Sequence, residues 1–214
     1  MLLLALGACD GGKGDGPFAL AFDGSPDCVE VAGDGGDVPV PLSVEAWIRG
    51  EPDPGELDMP IVTWTGVFDL REERGGTLAF AVGEGTVTYT QSVMDGVVHH
   101  LLGTFDGATA TLFLDGERVG FADGAVADQT SELRLGCDGA GAGFKGVLDE
   151  VRVSSVARHT DDFERPTGRF EPDDDTFLLF HLDEGEGETT TDAASGWEGA
   201  IEGAEWISFE VPSS

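Results

Sequence analysis

The segment Val97–Phe121, VVHHLLGTFDGATATLFLDGERVGF, constrains the fold more than any other part of the chain. Three short apolar runs are broken at Asp106-Gly107 and again at Asp115-Gly116. Asp-Gly readily supplies the positive φ of tight hairpin turns, so the segment predicts two successive β-hairpins. The middle run alternates, with Ala110, Leu112 and Leu114 on one parity and Thr111 and Phe113 on the other. That is the pattern of a strand with two distinct faces. Antiparallel meanders of this kind belong to sandwiches and barrels.

The rest of the 214-residue chain repeats the theme. Its 33 glycines stand singly or in pairs between short apolar runs, as turn punctuation. Strands are expected at Phe18–Phe22, Cys28–Val31, Leu42–Ile48, Ile61–Leu70, Leu78–Val82, Val87–Thr90, Leu133–Leu135 and Phe144–Val153. No stretch sustains a 3.6-residue apolar period, so little helix is expected. In Leu42–Ile48, Val44, Ala46 and Ile48 share one parity, while Trp47 alternates with Ser43 and Glu45 and is expected to cover one sheet. Val87 and Tyr89 share a face, whereas Thr86, Thr88 and Thr90 share the other. Such a strand is half exposed, and its threonine face either lines a shallow ligand groove or meets water. Trp64, between Thr63 and Thr65, is a second candidate for a groove as a sugar-stacking platform, with core packing as the alternative.

Charge excludes some partners. The chain carries 42 acidic residues against 11 basic ones, a formal net charge of −31. Only two of the basic residues are lysines, Lys13 and Lys145. Such a surface repels phosphate backbones, which argues against nucleic acid, and it disfavours anionic lipid headgroups. It fits cation binding, or solubility in a salty medium.

The first nine residues, MLLLALGAC, resemble the end of a bacterial lipoprotein signal peptide, with Leu6-Gly7-Ala8-Cys9 as the lipobox. The apolar run is short and no Lys or Arg precedes it. The resemblance implies export and lipidation at Cys9, with residues 10–16 as a flexible tether and the membrane reached only through the lipid. Of the three cysteines this leaves Cys28 and Cys137. An even pair in an oxidising compartment invites a disulfide; two buried thiols are the other reading.

Four motifs occur in order: FDGSPDCVEV (Phe22–Val31), LSVEAWIRG (Leu42–Gly50), HHLLGTFDGATATLFLDGERVG (His99–Gly120) and FKGVLDEVRVSSVAR (Phe144–Arg158). Together they resemble the laminin-G-like, concanavalin A-like jelly-roll family. The resemblance implies an all-β, antiparallel jelly-roll β-sandwich of two curved sheets over residues 17–214. The family's usual Trp before the His-His pair is Val98 here, and its usual aromatic after the FDG motif is Cys28, which points that position toward Cys137. The stretch Thr176–Trp206 resembles the family's opening strands, which normally precede the FDG motif. It is expected to complete the sandwich from the other end, as in a circular permutation, rather than to begin a second repeat.

In VLDEVRV, Asp149 shares parity with Val147, Val151 and Val153. A carboxylate on an apolar face must be paired, hydrogen-bonded or metal-bound. The resembled fold often holds a structural Ca²⁺ at this motif, which makes Asp149 and Asp23 the candidate ligands, with backbone carbonyls completing the shell. A salt bridge for Asp149 and a turn hydrogen bond for Asp23 are the alternative. His99 and His100 are adjacent, so in a strand they point to opposite faces. Nucleophilic catalysis finds no motif. Glu56 and Asp58 only imitate the paired carboxylates of glycoside hydrolases, because they sit in the proline-rich loop PDPGELDMP. The resemblance therefore implies a non-catalytic, extracytoplasmic recognition module for carbohydrate or a cell-surface protein. A structural or adhesive surface lipoprotein without a small ligand is one alternative, and a polysaccharide-active enzyme is the other.

Overall fold

The computed structural model describes residues 17–213 apart from 25, 34–37, 53–55 and 127–131. Cys9 and the 10–16 tether lie outside the described residues. Among the described residues sixteen strands form two eight-stranded sheets, and no residue is helical. They are β1 (Phe18–Asp23), β2 (Cys28–Ala32), β3 (Leu42–Gly50), β4 (Met59–Trp64), β5 (Phe68–Glu73), β6 (Thr77–Val82), β7 (Gly85–Tyr89) and β8 (His99–Phe105). The second half of the chain adds β9 (Thr109–Leu114), β10 (Glu117–Asp123), β11 (Glu132–Leu135), β12 (Lys145–Ser154), β13 (Thr176–Phe180), β14 (Thr189–Thr191), β15 (Glu198–Glu202) and β16 (Glu205–Ser208). One sheet, called A, runs β10-β9-β8-β3-β12-β1-β16, with β13 also paired to β12. The other, called B, runs β14-β15-β2-β11-β4-β5-β6-β7. The pairings are antiparallel throughout.

The double hairpin forms as the Asp-Gly pairs predict. Asp115 and Gly116 both have positive φ, 51° and 88°, and join β9 to β10 in two residues. At the first turn the carboxylate of Asp106 accepts from the backbone N–H of Ala108 and Thr109, so a side chain closes a three-residue loop. The expected strand Ile61–Leu70 is instead two strands, because Gly66 (φ 79°) turns the chain and Val67 N–H donates to the Trp64 carbonyl at 2.9 Å. That break starts the β4–β5 hairpin. The C-terminal strands take places in both sheets: β13 and β16 flank β12 and β1 in sheet A, while β14 and β15 extend sheet B from β2.

The main core lies between the sheets. Leu20, Val44, Ile48, Leu112 and Leu148 of sheet A meet Val29, Val62, Leu70 and Phe80 of sheet B, all fully buried. The sheets approach closely at Gly103, where a Cβ would lie 2.6 Å from the Phe80 ring. Trp64 belongs to this core. Its indole is fully buried among Phe68, Phe177 and Trp197, with centroids 5.9–6.2 Å apart within that group, so it offers no exposed stacking platform.

Sheet A is covered on its other face too. A second cluster of Ala19, Trp47, Val147, Phe170, Leu179, Phe209 and Val211 packs there beneath the irregular segment 155–175 and the C-terminal residues. Phe163 of this strap sits 5.5 Å from Phe113 and stacks on His159 at 3.8 Å. The strap is stitched down by Phe163 N–H to the Gly116 carbonyl (2.9 Å) and by Arg165 Nη2 to the Val98 carbonyl (2.8 Å). Arg165 also lies 4.7 Å from the Trp47 ring centroid, a cation–π contact.

Under the strap lies a buried charge. Glu45 is 3% exposed. Its carboxylate meets Arg152 Nη2 at 2.7 Å and His100 Nε2 at 3.0 Å. Burial works to raise the Glu45 pKa, but His100 and Arg152 outweigh it and hold the carboxyl below its ordinary range. Arg158 stands 3.7 Å from the same carboxylate and closes the strap by an ion pair to Asp173 at 2.6 Å. Removing one member of a buried ionic group leaves the others uncompensated. Glu45→Ala is therefore expected to destabilise the fold by about 3–5 kcal/mol, measured by urea unfolding, whereas Glu117→Ala on the exposed edge of sheet A should change it by less than about 0.5 kcal/mol.

Candidate functional site

The strap covers the outer face of sheet A; the outer face of sheet B carries no such layer among the described residues. The registers line up one row of residues across it. Ala200 pairs with Glu30, Glu30 with Arg134, Arg134 with Thr63, Thr63 with Asp69, Asp69 with Ala81 and Ala81 with Thr86. Their strand neighbours Val29, Val31, Leu133, Leu70, Phe80, Val82 and Val87 point into the core, so the row faces outward by alternation. The side chains are short or polar, and they leave a groove of about 530 Å³ over β4, β5 and β6.

Within the groove Asp69 Oδ2 accepts from Arg71 Nη1 at 2.8 Å, and Thr63 Oγ1 donates to Asp69 Oδ1 at 3.4 Å. Burial pushes the Asp69 carboxyl up, opposed by Arg71 and Thr63 and reinforced by Asp138 and Glu73. Arg134 links the groove to the next depression, about 380 Å³ over β2, β11 and β15. It pairs with Glu132 at 3.2 Å and Glu30 at 3.4 Å.

One wall is the loop after β11. Asp138 Oδ1 accepts from the backbone N–H of Ala140, Gly141 and Ala142 at 2.7–3.1 Å, so one carboxylate sets the loop's shape. The disulfide Cys28–Cys137, with Cα atoms 5.3 Å apart, clamps the loop to β2. Gly139 lies beside the Arg134 guanidinium and turns the loop at φ 72°, a left-handed conformation that favours glycine. The bridge spans 109 positions of sequence. Replacing both cysteines by serine is expected to lower stability by about 2–5 kcal/mol, read as a fall in melting temperature that dithiothreitol reproduces in the native chain and leaves unchanged in the variant.

Several residues singled out in the sequence fall here and others do not. Thr86 and Thr88 lie exposed on this face at the edge strand, and Thr90 follows just beyond it, also exposed. Trp64 is removed from it by burial. The residues that make the groove, Thr63, Asp69 and Arg71, went unselected, because reading Ile61–Leu70 as one strand hid the β5 alternation of FDLREE.

Asp23 and Asp149 are not brought together. Asp23 is exposed and pairs in register with Lys145, while Asp149 stands four residues further along β12, beside Trp47. That is about 13 Å along the strand, so the two carboxylates do not fit one ion. The parity assigned to Asp149 also fails. Glu150 adopts φ 50° at a bulge in β12, between the Asp149–Trp47 and Arg152–Glu45 pairs. The extra residue places Asp149 on the strapped face with Val147, while Val151 and Val153 turn to the core. Glu150 is held there by His181 Nδ1 at 2.9 Å and by Phe170 N–H at 2.8 Å. Among the described residues no cluster of three or more His, Cys, Asp or Glu side chains has metal-binding geometry. His99 and His100 do diverge: His99 meets Asp115 at 2.7 Å and His100 meets Glu45.

Burial, and then the neighbouring Glu150, push the Asp149 carboxyl up to about 9. In the unfolded chain an aspartate titrates near ~3.9. The folded state thus holds a proton that the unfolded state releases across that window, and the contribution of Asp149 to stability falls as pH rises through it. Asp149→Asn should remove that slope. Urea unfolding at about pH 5 and about pH 8.5 checks it, with the variant more stable at the higher pH by on the order of 1–3 kcal/mol.

The profile of Laminin_G_3, the concanavalin A-like lectin/glucanases superfamily, matches residues 23–162. The chain belongs to this family. Strands β13–β16 lie outside the matched segment yet complete both sheets of the family's sandwich. Among solved structures, a Bacteroides ovatus protein named a "putative carbohydrate binding protein" superposes with a TM-score of 0.76 at 21% identity. The alignment covers 93% of this chain and 62% of that one, so this chain spans under two thirds of that protein's length. The SAP-like pentraxin of Limulus polyphemus matches with a TM-score of 0.52 at 14% identity, over 67% of this chain and 78% of that one. Domains LG4-5 of the mouse laminin alpha1 chain match at 0.52 and 19% identity, over 74% and 48%. At these identities the likeness is one of fold. No curated protein matches the sequence.

Proposed function

We propose that the chain is a non-catalytic carbohydrate-recognition module whose ligand lies on the exposed face of sheet B. The observation that carries this reading is the continuous cross-strand row Ala200–Glu30–Arg134–Thr63–Asp69–Ala81–Thr86. Alanine and threonine leave a floor that a flat ring can approach. Asp69, Arg71 and Thr63 set acceptors beside donors, the arrangement that neighbouring sugar hydroxyls, each both donor and acceptor, can satisfy. Membership of the lectin/glucanases superfamily and the likeness to the Bacteroides ovatus protein support it.

Glycoside hydrolysis by the retaining route needs two carboxyl groups about 5–5.5 Å apart with a sugar between them. Glu56 and Asp58 are exposed ahead of β4, and Asp58 Oδ1 is engaged by the Arg74 N–H at 2.8 Å, so this pair serves the turn rather than the groove. We place the module outside the cytoplasm, anchored through a lipid on Cys9. The Cys28–Cys137 disulfide supports an oxidising compartment.

A glycan array followed by calorimetry tests the reading. The native chain is expected to bind at least one glycan saturably. Ala81→Trp, which lays an indole across the groove floor, should weaken that binding by about tenfold or more while the melting temperature stays put. Absence of saturable binding to any glycan, or an undiminished affinity in Ala81→Trp, would overturn it.

A further inference from the structure

Resting on that reading, we infer that the ligand is a neutral linear polysaccharide, held by an internal stretch that runs across the strands of sheet B rather than by a terminal sugar.

Two independent observations lead there. The first is the shape of the groove. Its two sides are bordered by opposite ends of the strands. Gly66, between β4 and β5, and Gly83 and Glu84, between β6 and β7, lie on one side. Asp138 lies on the other, because β11 runs antiparallel to β4 and leaves the sheet beside Ile61, whose carbonyl accepts from Gly136 N–H at 2.9 Å. Both borders therefore run parallel to the cross-strand row, and a chain between them lies along it. A second depression follows the same line over Glu30, Arg134 and Ala200.

Along that line the row passes to both edges of the sheet. Beyond Glu30 it continues through Ala200 to Thr189 of β14, and beyond Asp69 through Ala81 to Thr86 of β7. β14 and β7 are the edge strands, and both threonines are exposed. The last two positions on either side are thus an alanine and a threonine, too short to stop a chain. Eight strands at about 4.8 Å spacing make the row roughly 34 Å long. A single sugar ring fills a fraction of that, whereas an internal stretch of a linear chain fills it all.

The second observation is the pairing of charge. The carboxylates of the row are already matched: Glu30 with Arg134 at 3.4 Å and Asp69 with Arg71 at 2.8 Å. A charged chain gains an ion pair here only by breaking one already made. The net charge of −31 further opposes an anionic chain. A carboxylate has more lone pairs, and a guanidinium more N–H groups, than one such pair uses. A sugar hydroxyl, both donor and acceptor, therefore joins a pair without dissolving it. The paired groups occupy the middle of the row, where successive units of one chain meet them in turn.

Calorimetry on the whole chain tests this with neutral oligomers of glucose, mannose and xylose from monomer to octamer, and with oligogalacturonate and glucosamine oligomers as charged counterparts. For at least one neutral series, affinity should rise about tenfold or more from disaccharide to hexamer and then level off, since each unit brought into the groove adds hydrogen bonds. Borohydride reduction of the terminal unit should leave the octamer's affinity within about twofold. Ala200→Trp places an indole roughly 19 Å along the row from Asp69. It should weaken the octamer about tenfold, leave the disaccharide unchanged and keep the melting temperature. A monosaccharide that binds as tightly as the octamer, loss of binding on reduction of the end, or an octamer indifferent to Ala200→Trp would overturn the internal-chain inference and leave the carbohydrate reading standing. Tighter binding of either charged series than of every neutral one would overturn the neutral ligand in the same way. Failure of every glycan would remove the carbohydrate reading as well.

Discussion

The carboxylate of Glu45 is the constraint on which the architecture depends. It projects from the centre of sheet A, on the face turned away from the sandwich core, and it is almost wholly buried. A charge in that position is tolerable only with close partners. Arg152 comes from the neighbouring strand, His100 from the strand on the other side, and Arg158 from the start of the strap. Each contact also fixes a piece of the chain: Arg152 the register beyond the β12 bulge, His100 the pairing of β3 with β8, and Arg158, through Asp173, the closure of segment 155–175. Around this centre Trp47, Phe113, Phe163 and Phe170 build an apolar cover that shuts water out. The protein is thus three layers over its middle rather than two.

That third layer decides where a ligand can go. With sheet A closed on both sides, sheet B presents the remaining broad face, and its composition suits contact. Floor residues are small, the charged ones are paired in short acceptor–donor sets, and the rim loop, turned at a left-handed glycine beside Arg134, is held by a disulfide and by the Asp138 carboxylate. The groove is therefore preorganised: little backbone entropy remains to be lost there when a chain settles on it.

Much of this was legible in the sequence. Asp106-Gly107 and Asp115-Gly116 mark their hairpins because turn chemistry is local. The alternation of β3 separates Val44, Ala46 and Ile48 from Ser43, Glu45 and Trp47 as the structure does. Cys28 and Cys137 pair as the cysteine count and the family resemblance expected. Other assignments failed for identifiable reasons. The parity of Asp149 was lost to a single left-handed residue, Glu150, which nothing in VLDEVRV advertises because glutamate rarely takes that conformation. Trp64 looked like a groove residue beside two threonines, but a turn at Gly66 follows it and the indole goes to the core. Asp69 and Arg71 were overlooked for the same reason.

By itself the sequence determined the all-β class, the turns, most strands, the two-faced character of β3 and the acidity of the surface. These depend on neighbours along the chain or on composition alone. Which face of which sheet stays open was decided only by the tertiary structure. A strand's outward parity is the same whether it meets water or a strap, and the cover over Glu45 comes from residues more than a hundred positions away in the chain. The row of polar residues across sheet B likewise exists only once seven strands, drawn from Cys28 to Glu202, are set in register. Register is fixed by the packing of the buried faces, and the exposed row follows from it.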